Sequence, residues 1–393
     1  MMKSVIVFLF ACLPAAMILA QSNPTSVTVP FHPDHNRIIV DVSIPLPDGT
    51  RKQVRAWVDN GDPSLNITGH LARVLGLRSS DKSGNGGDTA ARIHSVYLGK
   101  MRIDLSHTPI TEILPGMASL GVEMNIPSSV LRNYEVVVDY PGRTLTIAAR
   151  GACQFEGQKV SAIINADNGL VQIPGIVNGH PYNLALDMGT PVCFISDQLL
   201  SEWQRAHVAW PHMVGAISIA NLWGLDEEPI CDLLRIPEIS YGGLTLLDVI
   251  TVSFEPSRFD YFEKRAGVAT IGLVGADALL NYRVGIDYAH SAVYFKKVSE
   301  RPPTHLDVVG LILRPGEDGR YDIISIANIA GRPSVDSIKA GDILVAIDSK
   351  RVTGLTMGGV WSMLKGNPGS VRVLKINREG RSFRIKAKVY RFL

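Results

Sequence analysis

Residues 54–63 read VRAWVDNGDP, and residues 182–191 read YNLALDMGTP. Each stretch is a short apolar run, predicted to be a β-strand, that ends in Asp-x-Gly. The strand fixes the position of the carboxylate, while the glycine permits a sharp turn and leaves room for a neighbouring loop. One such turn alone indicates only a β-turn, whereas two in equivalent places indicate a repeated module.

A second frame recurs further along each copy of this module. Residues 131–140 read LRNYEVVVDY, and residues 279–288 read LLNYRVGIDY. Two frames repeated in the same order are better explained by internal duplication than by chance. Duplicated halves that pack with pseudo-twofold symmetry bring equivalent positions together at the axis. The sequence therefore predicts that Asp59 and Asp187 face each other.

Two facing carboxylates define a specific chemistry. They cannot both ionise easily, so they share a proton and titrate as a unit. Such a pair can hold a water molecule, activate it as a general base and protonate a leaving nitrogen as a general acid. This chemistry hydrolyses a peptide bond without a metal ion, a cofactor or a covalent intermediate. Asp59 and Asp187 are therefore the candidate catalytic residues, and no metal or cofactor is expected.

Each copy resembles a retroviral-type (retropepsin-like) aspartic protease domain. The family pattern is a hydrophobic strand ending in Asp-Thr/Ser-Gly, followed later by two hydrophobic residues and a glycine before a helix. Residues 119–121 and 273–275 are matched to this second motif. The resemblance covers roughly residues 37–297 and implies a mainly β fold, with two acid-protease β-barrel lobes packed as one pseudo-twofold, pepsin-like bilobal unit. Because both copies lie in one chain, the protein is expected to be a monomer.

The support around the two aspartates departs from this family pattern. The family's second position is usually Thr or Ser, whose hydroxyl links the two loops, but Asn60 and Met188 stand there in this chain. Asn60 can still form hydrogen bonds, whereas Met188 can only pack. At the fourth position Thr190 fits the pattern, and Asp62 adds another carboxylate. By resemblance, the supporting residues of the active-site loops are Asn60, Gly61, Met188, Gly189 and Thr190.

These departures leave two functions open. The first is a secreted or periplasmic aspartic-type endopeptidase that hydrolyses a peptide or protein substrate. The second is a catalytically degenerate, peptide-binding envelope protein on the same scaffold. The second stays open because loosened support around catalytic groups commonly costs orders of magnitude in rate.

The composition argues against several other classes. The chain has 393 residues, 46% hydrophobic and 19% charged, with 36 Gly, which indicates a globular, turn-rich protein of two or three domains. The net charge is +2 and no long basic run occurs, so nucleic acid is not an expected partner. The sequence contains no Gly-x-Ser-x-Gly, no His-Glu-x-x-His and no phosphate-binding loop motif.

The N-terminus predicts a secretory signal peptide over residues 1–20. A short positive start is followed by an apolar run from Val5 to Ala20. A membrane anchor is disfavoured because the run is short and Pro14 interrupts it, and a lipoprotein cut before Cys12 ranks lowest. No later stretch is long and apolar enough to span a bilayer, so a secreted or periplasmic location is expected.

Residues 21–36 are polar, contain several prolines and are predicted to be a linker. Within them, His32, Asp34 and His35 could serve as metal ligands. A solvated tail is the favoured interpretation, because the three residues stand in the proline-bearing linker.

The two lobes are predicted over residues 37–150 and 151–298. The second copy has a longer middle, around residues 210–243, which is expected to be a loop or hairpin over one face. This insertion, which contains Trp223, either covers the substrate groove or packs within its lobe. The glycine-rich residues 84–87 are either a mobile cover or an ordinary surface loop.

Three cysteines follow the predicted signal peptide, at positions 153, 193 and 231. Three cysteines are not a disulfide framework, and the absence of C-x-x-C leaves zinc binding unsupported. Cys193 and Cys231 either pair in an oxidising compartment or are buried thiols, and both alternatives remain open.

The C-terminal residues 305–393 show a third pattern. Residues 309–312 read VGLI, residues 340–344 read AGDIL, and a helix capped by Thr356 is predicted as far as Leu364. These features resemble a PDZ domain of the bacterial envelope-protease type, which is an α+β domain. The resemblance implies that an extended peptide binds as an added strand, with its terminal carboxylate on loop amides. Otherwise the groove is vestigial and the domain only packs. The implied peptide-binding residues are Gly310, Leu311 and Ile312.

Overall fold

The computed structural model describes most of the chain, namely residues 23–46, 48–76, 92–113, 115–217, 230–302, 304–316, 318–329 and 331–393. The predicted signal peptide, the glycine-rich residues 84–87 and Trp223 lie outside these ranges. Inside them the protein is mainly β, as the sequence predicts, and its strands form two lobes, a sheet shared between the lobes and a C-terminal sheet. No helix in these ranges is long and apolar enough to cross a membrane.

The first lobe is built from strands whose β-branched and apolar residues turn inward. Its own sheet has the order β7-β6-β3-β4-β9-β5-β8, with β2 beside β3. The strands are β1 (Ser26–Pro30), β2 (His32–Asp34), β3 (Arg37–Pro45), β4 (Arg51–Asp59), β5 (Leu65–Ile67), β6 (Ser95–Leu98), β7 (Met101–Asp104), β8 (Ile110–Ile113), β9 (Met124–Pro127), β10 (Glu135–Asp139) and β11 (Thr144–Ala148). The helices are α1 (Gly69–Val74), α2 (Ser128–Leu131) and a 3-10 helix over Pro115–Leu120.

The second lobe repeats this arrangement with longer strands. Its own sheet has the order β13-β14-β15-β20-β16-β19-β18-β17. The strands are β12 (Gln158–Ser161), β13 (Ile163–Ile164), β14 (Val171–Val177), β15 (His180–Leu186), β16 (Cys193–Ser196), β17 (His212–Ile217), β18 (Ile230–Tyr241), β19 (Leu244–Phe254), β20 (Gly272–Val274), β21 (Tyr282–Asp287) and β22 (Ala292–Lys297). The helices are α3 (Asp197–Ala206), α4 (Pro256–Ala266) and α5 (Ala276–Leu279).

One six-stranded sheet joins the two lobes, in the order β1-β11-β10-β21-β22-β12. Its central strands, β10 and β21, pair antiparallel with Val137 opposite Gly285. These two residues stand at the same place in the repeated frame, each three positions after its tyrosine, Tyr134 or Tyr282. The pseudo-twofold axis therefore passes through this pair, so the repeated frame forms the central strands that join the two lobes.

Residues 26–34 of the predicted linker are folded into the first lobe, so the linker prediction is wrong there. Ser26–Pro30 forms β1, an edge strand of the shared sheet, and pairs antiparallel with β11. His32–Asp34 forms β2 and pairs with β3. Proline is tolerated at strand edges, where its missing N–H donor leaves no ladder bond unmade. The prolines that suggested a linker are therefore compatible with these two short strands.

The matching of residues 119–121 to the second family motif is also wrong. In the first lobe β4 pairs in parallel with β9, and Asp59 stands opposite Pro127. In the second lobe β15 pairs in parallel with β20, which ends at Val274 just before Gly275. Pro127 thus occupies the place of Gly275. The motif was missed because proline replaces the glycine there, whereas residues 119–121 lie at the end of the 3-10 helix.

The described residues of the longer middle of the second copy form extended strands. β17, β18 and β19 lie side by side and antiparallel, and Gly242 and Gly243 turn β18 into β19 with positive φ angles of 59° and 87°. The predicted loop or hairpin is thus a hairpin. The ring of Trp210 stacks on His207 of the same lobe, with 4.2 Å between ring centroids.

The C-terminal residues form a separate sheet with one helix. The sheet order is β24-β25-β28-β30-β31, and Thr356 caps the helix by accepting a hydrogen bond from the Gly359 N–H group, as the sequence predicts. The strands are β23 (Asp307–Val308), β24 (Leu311–Pro315), β25 (Tyr321–Ile326), β26 (Asn328–Ile329), β27 (Arg332–Pro333), β28 (Ile343–Ile347), β29 (Lys350–Arg351), β30 (Val371–Arg378), β31 (Arg381–Lys388) and β32 (Tyr390–Arg391), and the helix is α6 (Met357–Leu364). We call residues 305–393 the C-terminal unit.

Candidate active site

The structure brings Asp59 and Asp187 together at the axis between the lobes. Asp59 ends β4 and Asp187 directly follows β15, and their side chains are 6% and 5% exposed. A Cβ atom added at Gly61 would collide with the carboxyl group of Asp187, and one at Gly189 would collide with that of Asp59. Each glycine therefore makes room for the aspartate of the opposite lobe, and the two Asp-x-Gly loops interlock.

Asn60 joins the two loops with both ends of its side-chain amide. Its Nδ2 atom donates a 2.7 Å hydrogen bond to the carbonyl oxygen of Leu186, and its Oδ1 atom accepts a 2.6 Å bond from the Met188 N–H group. Asn60 is fully buried, so both bonds are protected from competing water. The equivalent residue of the second lobe, Met188, is also fully buried and packs in the hydrophobic core. The cross-axis link is therefore made from one side.

Trp57 adds a second cross-axis link that the sequence did not predict. Its Nε1 atom donates a 3.1 Å hydrogen bond to the carbonyl oxygen of Gly189. Side chains two positions apart on a strand share a face, so Trp57 projects on the same side of β4 as Asp59. That spacing is a sequence signal that places Trp57 on the side of Asp59, whereas its partner in the other lobe is visible only in the fold.

Backbone amides hold each carboxyl group in its own loop. Oδ1 of Asp59 accepts a 3.0 Å bond from the Gly61 N–H group. Oδ1 of Asp187 accepts bonds of 2.9 Å from Gly189 and 3.2 Å from Thr190. The Thr190 hydroxyl, which the family pattern favours at this position, donates a 2.6 Å bond to the carbonyl oxygen of Val192 and so stabilises the loop behind the aspartate.

Burial and mutual repulsion keep a proton on this pair of aspartates. Burial raises the pKa of Asp59 well above its ordinary value, and the nearby carboxylates of Asp187 and Asp62 raise it further. Burial also raises the pKa of Asp187 to about 7, although the N–H groups of its own loop and the positive charge of Arg37 oppose the rise. Because the two groups interact, they titrate as a unit rather than independently.

Asp62 is half-buried and bonded within its own lobe. Its Oδ1 atom accepts a 2.8 Å bond from the Ser64 N–H group, and its Oδ2 atom accepts a 3.1 Å bond from Asn66 Nδ2. Burial raises the pKa of Asp62. Its negative charge in turn raises the pKa of both Asp59 and Asp187. The third carboxylate thus acts on the pair through its charge.

Arg37 is a further charged residue of the site that the sequence analysis missed. It begins β3, is fully buried, and places its guanidinium group 5.8 Å from the centroid of the Trp57 ring. Its positive charge lowers the pKa of Asp187. Arginine is almost never fully buried without a charged or polar environment, so an arginine at the head of an apolar strand is a usable signal. Arg37 is the first residue of the predicted first lobe, and its place at a boundary does not mark it as part of a site.

The residues implied to bind a peptide lie at the start of the C-terminal sheet. Gly310 precedes β24, and Leu311 and Ile312 begin it. All three are buried. A Cβ atom added at Gly310 would lie 2.6 Å from the Phe392 ring and 2.6 Å from the Ser334 hydroxyl. The start of β24 is therefore tightly packed within the C-terminal unit.

Cys193 and Cys231 form no disulfide with each other in the described part of the chain. Both are buried thiols, so the second of the two alternatives left by the sequence applies. The Cys193 thiol donates a 3.4 Å hydrogen bond to Oδ1 of Asp277 and accepts a 3.3 Å bond from the Gly275 N–H group. Burial raises the pKa of Cys193, which keeps the thiol protonated and unreactive.

The solvated tail predicted for His32, Asp34 and His35 is not observed. His32 is exposed, but Asp34 accepts hydrogen bonds from Thr356 and from the Gly358 N–H group at the start of α6. These residues lie in a hairpin that packs against the C-terminal unit. In the part of the chain that the structure describes, no three His, Cys, Asp or Glu side chains are grouped so as to hold a metal ion.

Comparisons with known proteins show a distant likeness among solved structures. No protein-family model and no curated protein matches the chain. Among solved structures, the chain is similar to the aspartic proteinase from Irpex lacteus, with 12% sequence identity and a TM-score of 0.40, over 70% of this chain and 98% of that one.

The class of fold follows from the chain's own sheets. Two β lobes share one sheet across a pseudo-twofold axis, and each lobe contributes a buried Asp-x-Gly loop at that axis. This arrangement defines an aspartic-protease-like β fold.

Proposed function

We propose that the protein is an aspartic-type endopeptidase in which Asp59 and Asp187 activate a water molecule between them. The observation that carries the proposal is the interlocking of the two loops, which presses each buried carboxyl group against the glycine of the other loop. Two carboxyl groups held this way share a proton, because burial and repulsion disfavour the doubly ionised state.

The shared proton allows the pair to act both as a general base and as a general acid. The ionised carboxylate accepts a proton from the water molecule as the water attacks the substrate carbonyl carbon. The protonated carboxyl group donates its proton to the carbonyl oxygen, and the pair then passes a proton to the leaving nitrogen as the C–N bond breaks. The raised pKa of Asp187, about 7, keeps the singly protonated pair populated toward neutral pH.

Asn60 and Trp57 favour an active pair over a relic. The family pattern links the loops by two hydroxyl groups, whereas in this chain the side chains of Asn60 and Trp57 make the cross-axis bonds. The loops are therefore held by different residues rather than released. This is what a working site requires, since catalytic groups must be fixed to within a fraction of an ångström.

The second candidate, a peptide-binding protein without catalysis, is favoured by Asp62 and Met188. The Asp62 carboxylate adds a second negative charge beside an aspartate pair that works with a single negative charge. Met188 makes no reciprocal side-chain bond across the axis, because a thioether is at most a weak acceptor. Turnover measurements distinguish the two functions.

We further propose that the C-terminal unit is a PDZ domain and that a peptide's C-terminus binds beside Gly310, Leu311 and Ile312. A six-stranded sheet packed with one helix supports this proposal. The burial of the three residues requires side chains around them to move before a peptide can add to β24. Fluorescence anisotropy with labelled C-terminal peptides measures such binding directly.

Secretion or periplasmic location is likewise a proposal, supported by the apolar residues 5–20 behind a basic start. The proposed division of the mature chain is a first lobe to residue 150, a second lobe over residues 151–298 and the PDZ domain over residues 305–393. N-terminal sequencing of the protein from a cell-envelope fraction determines whether cleavage occurs near Ala20.

The decisive experiment is a peptide-library and casein assay from acidic to neutral pH, with and without pepstatin. The full chain should cleave internal peptide bonds, retain activity up to about pH 7, and lose it with pepstatin. Asp59→Asn and Asp187→Asn should each lower kcat by at least about a thousandfold. Asp260→Asn, an exposed aspartate on α4, is the matched control and should behave as wild type. Cleavage that survives Asp187→Asn contradicts the proposal, and tight peptide binding without turnover supports the second candidate.

A further inference from the structure

Four consecutive residues, Asp34 to Arg37, form a tight turn between β2 and β3. Asp34 pairs with Arg37 in the ladder, and the two residues between them, His35 and Asn36, have φ angles of 47° and 65°. Positive φ at both central positions is the geometry of a two-residue hairpin turn, which matches the twist of its strands. Because the two strands pair directly next to the turn, Asp34 and Arg37 move together. We call these four residues the β2–β3 turn.

One end of the β2–β3 turn holds helix α6 of the C-terminal unit. The Asp34 carboxylate accepts a 3.0 Å bond from the Gly358 N–H group and a bond from the hydroxyl of Thr356, the N-cap residue. A carboxylate at this end of a helix satisfies unpaired N–H groups and complements the helix dipole. The His35 ring stacks on Trp361 of the same helix, with 5.3 Å between ring centroids.

The other end of the β2–β3 turn reaches the second Asp-x-Gly loop. Asn36 Nδ2 donates a 3.2 Å hydrogen bond to the carbonyl oxygen of Pro191, the residue after Thr190. Arg37 is buried over Trp57, which itself bonds to the carbonyl oxygen of Gly189. The turn therefore contacts α6 with its first two residues and the surroundings of Asp187 with its last two.

We propose that the β2–β3 turn positions the loop of Asp187, and that it does so only while α6 of the C-terminal unit holds Asp34. The four residues are positioning residues, because none of them contacts the reacting atoms. The C-terminal unit then acts on catalysis through a contact within its own chain. The effect on turnover rests on the peptidase function proposed above, whereas the effect on the Asp187 carboxyl group does not.

The charges around Asp187 give the sign of the effect. Arg37 is the cation among the titratable groups that act on Asp187, and its charge favours the ionised carboxylate. If α6 releases Asp34, Arg37 loses its fixed place and the pair titrates at higher pH. The titratable groups that face Asp187 are Asp59 and Asp62 on the first loop, Arg37 on β3, Tyr140 after β10 and Tyr241 on β18.

The test compares Asp34→Ala with Asp48→Ala. The two aspartates are closely matched, since each lies in a turn flanking β3 and accepts one bond from a backbone N–H group and one from a threonine hydroxyl. The difference is that both bonds to Asp48 come from Thr50 in the same exposed turn, whereas both bonds to Asp34 come from the C-terminal unit. Asp34→Ala should lower kcat roughly tenfold or more with little change in KM, and should shift the pH profile of kcat to higher pH. Asp48→Ala should change neither.

Gly358→Ala provides a second variant in case Asp34→Ala folds poorly. Alanine favours the helix, but its Cβ atom would collide with Asp34 Oδ1 and with the His35 backbone. The substitution should therefore push the turn off α6 while leaving Asp34 and the helix intact. It should reproduce the lower kcat and the upward pH shift of Asp34→Ala.

The Asp187 carboxyl group also gives a readout that needs no turnover. In protein labelled with ¹³C at the aspartate carboxyl carbons, the Asp187 signal is assigned by its loss in Asp187→Asn. It should titrate at higher pH in Asp34→Ala and Gly358→Ala than in wild type and Asp48→Ala. If wild type cleaves no peptide, the proposed function fails while this titration still decides the inference. Equal titration in Asp34→Ala and Asp48→Ala would overturn the inference.

Discussion

The amide of Asn60 takes the place of two hydroxyl groups. A carboxamide carries both a donor and an acceptor, so one side chain can bond to two backbone groups of the opposite loop. Asn60 uses both, at Leu186 and Met188, and is completely buried while doing so. The residue that faces it from the second lobe is therefore free to be apolar, and Met188 fills core volume.

We expect Asn60→Ala to destabilise the protein by about 2–4 kcal/mol, because it leaves the Leu186 carbonyl and the Met188 N–H group buried without these partners. Chemical denaturation followed by tryptophan fluorescence measures the change. Asn133→Ala is the control, since that exposed side chain donates only to carbonyls of α2, and it should cost under about 0.5 kcal/mol. Equal losses in both variants would contradict the bridging role.

The raised pKa of Asp187 makes stability depend on pH. A carboxyl group whose pKa rises from 3.8 to about 7 on folding binds its proton more tightly in the folded state. Its contribution is therefore complete below the unfolded pKa and is lost as pH rises through the folded one. We expect the free energy of unfolding of wild type to fall, relative to Asp187→Asn, between about pH 4 and pH 7 by on the order of 1–3 kcal/mol.

Urea denaturation of both proteins at closely spaced pH values measures this difference. Asp260→Asn, at an exposed position of α4, is again the control. Two parallel curves for wild type and Asp187→Asn would show that the burial of Asp187 has no such effect.

At the scale of single residues, the repeat in the sequence identifies the aspartates that occur in both copies but not the site residues that occur in one copy only. Asp59 and Asp187 are identified because the Asp-x-Gly turn occurs twice, and Asn60 is identified through the family pattern that each copy resembles. Trp57 and Arg37 have no counterpart of the same type in the second copy, where Ala185 stands two positions before the aspartate. Their contacts depend on side chains crossing between lobes, and periodicity within one strand does not contain that information.

At the scale of elements, the two lobes pack different residues, Gly275 and Pro127, at one equivalent position. Gly275 lies so close to the Val192 backbone that an added Cβ atom would collide with its carbonyl oxygen. Pro127, the equivalent residue of the first lobe, already carries a side chain at that place. The first lobe therefore does not require glycine at this position. For that reason a search for the glycine motif matches residues other than Pro127.

We expect Gly275→Ala to cost about 3 kcal/mol, because the obstructing atoms belong to the backbone and cannot rotate away. Pro127→Ala keeps a Cβ atom at the matching position of the other lobe and should cost less than about 1 kcal/mol. Thermal and urea denaturation of the two variants measure the difference. Similar losses in the free energy of unfolding would mean that the surroundings of Gly275 and Pro127 are packed equally tightly.

The strands at the edges show why the linker prediction failed. β1 and β12 occupy opposite edges of the shared sheet, so each lobe donates one outer strand. β1 reads SVTVP and alternates between exposed and half-buried residues, so none of its side chains is fully buried. Edge strands are commonly polar on one face and tolerate proline, so composition alone does not distinguish them from a solvated segment.

At the scale of the whole molecule, sequence patterns predicted the repeat but not the contact of its parts with the C-terminal unit. The repeated frame predicted only that equivalent positions meet at an axis, and in the fold its strands β10 and β21 pair across that axis. The contact between Asp34 and Gly358 joins residues 324 positions apart. Neither partner carries a pattern that identifies the other, so only the folded chain reveals the pair.

Carrying both lobes in one chain allows the two halves of the site to differ. If two identical subunits formed the site, each substitution would appear on both sides of the axis. Here Asn60 faces Met188, Pro127 matches Gly275, and Arg37 approaches Asp187 from one lobe only. The axis at the Val137–Gly285 pair keeps the aspartates symmetric in position while their surroundings diverge. That divergence lets the C-terminal unit contact one side of the pair, because only the first lobe carries the β2–β3 turn with Asp34 at its end.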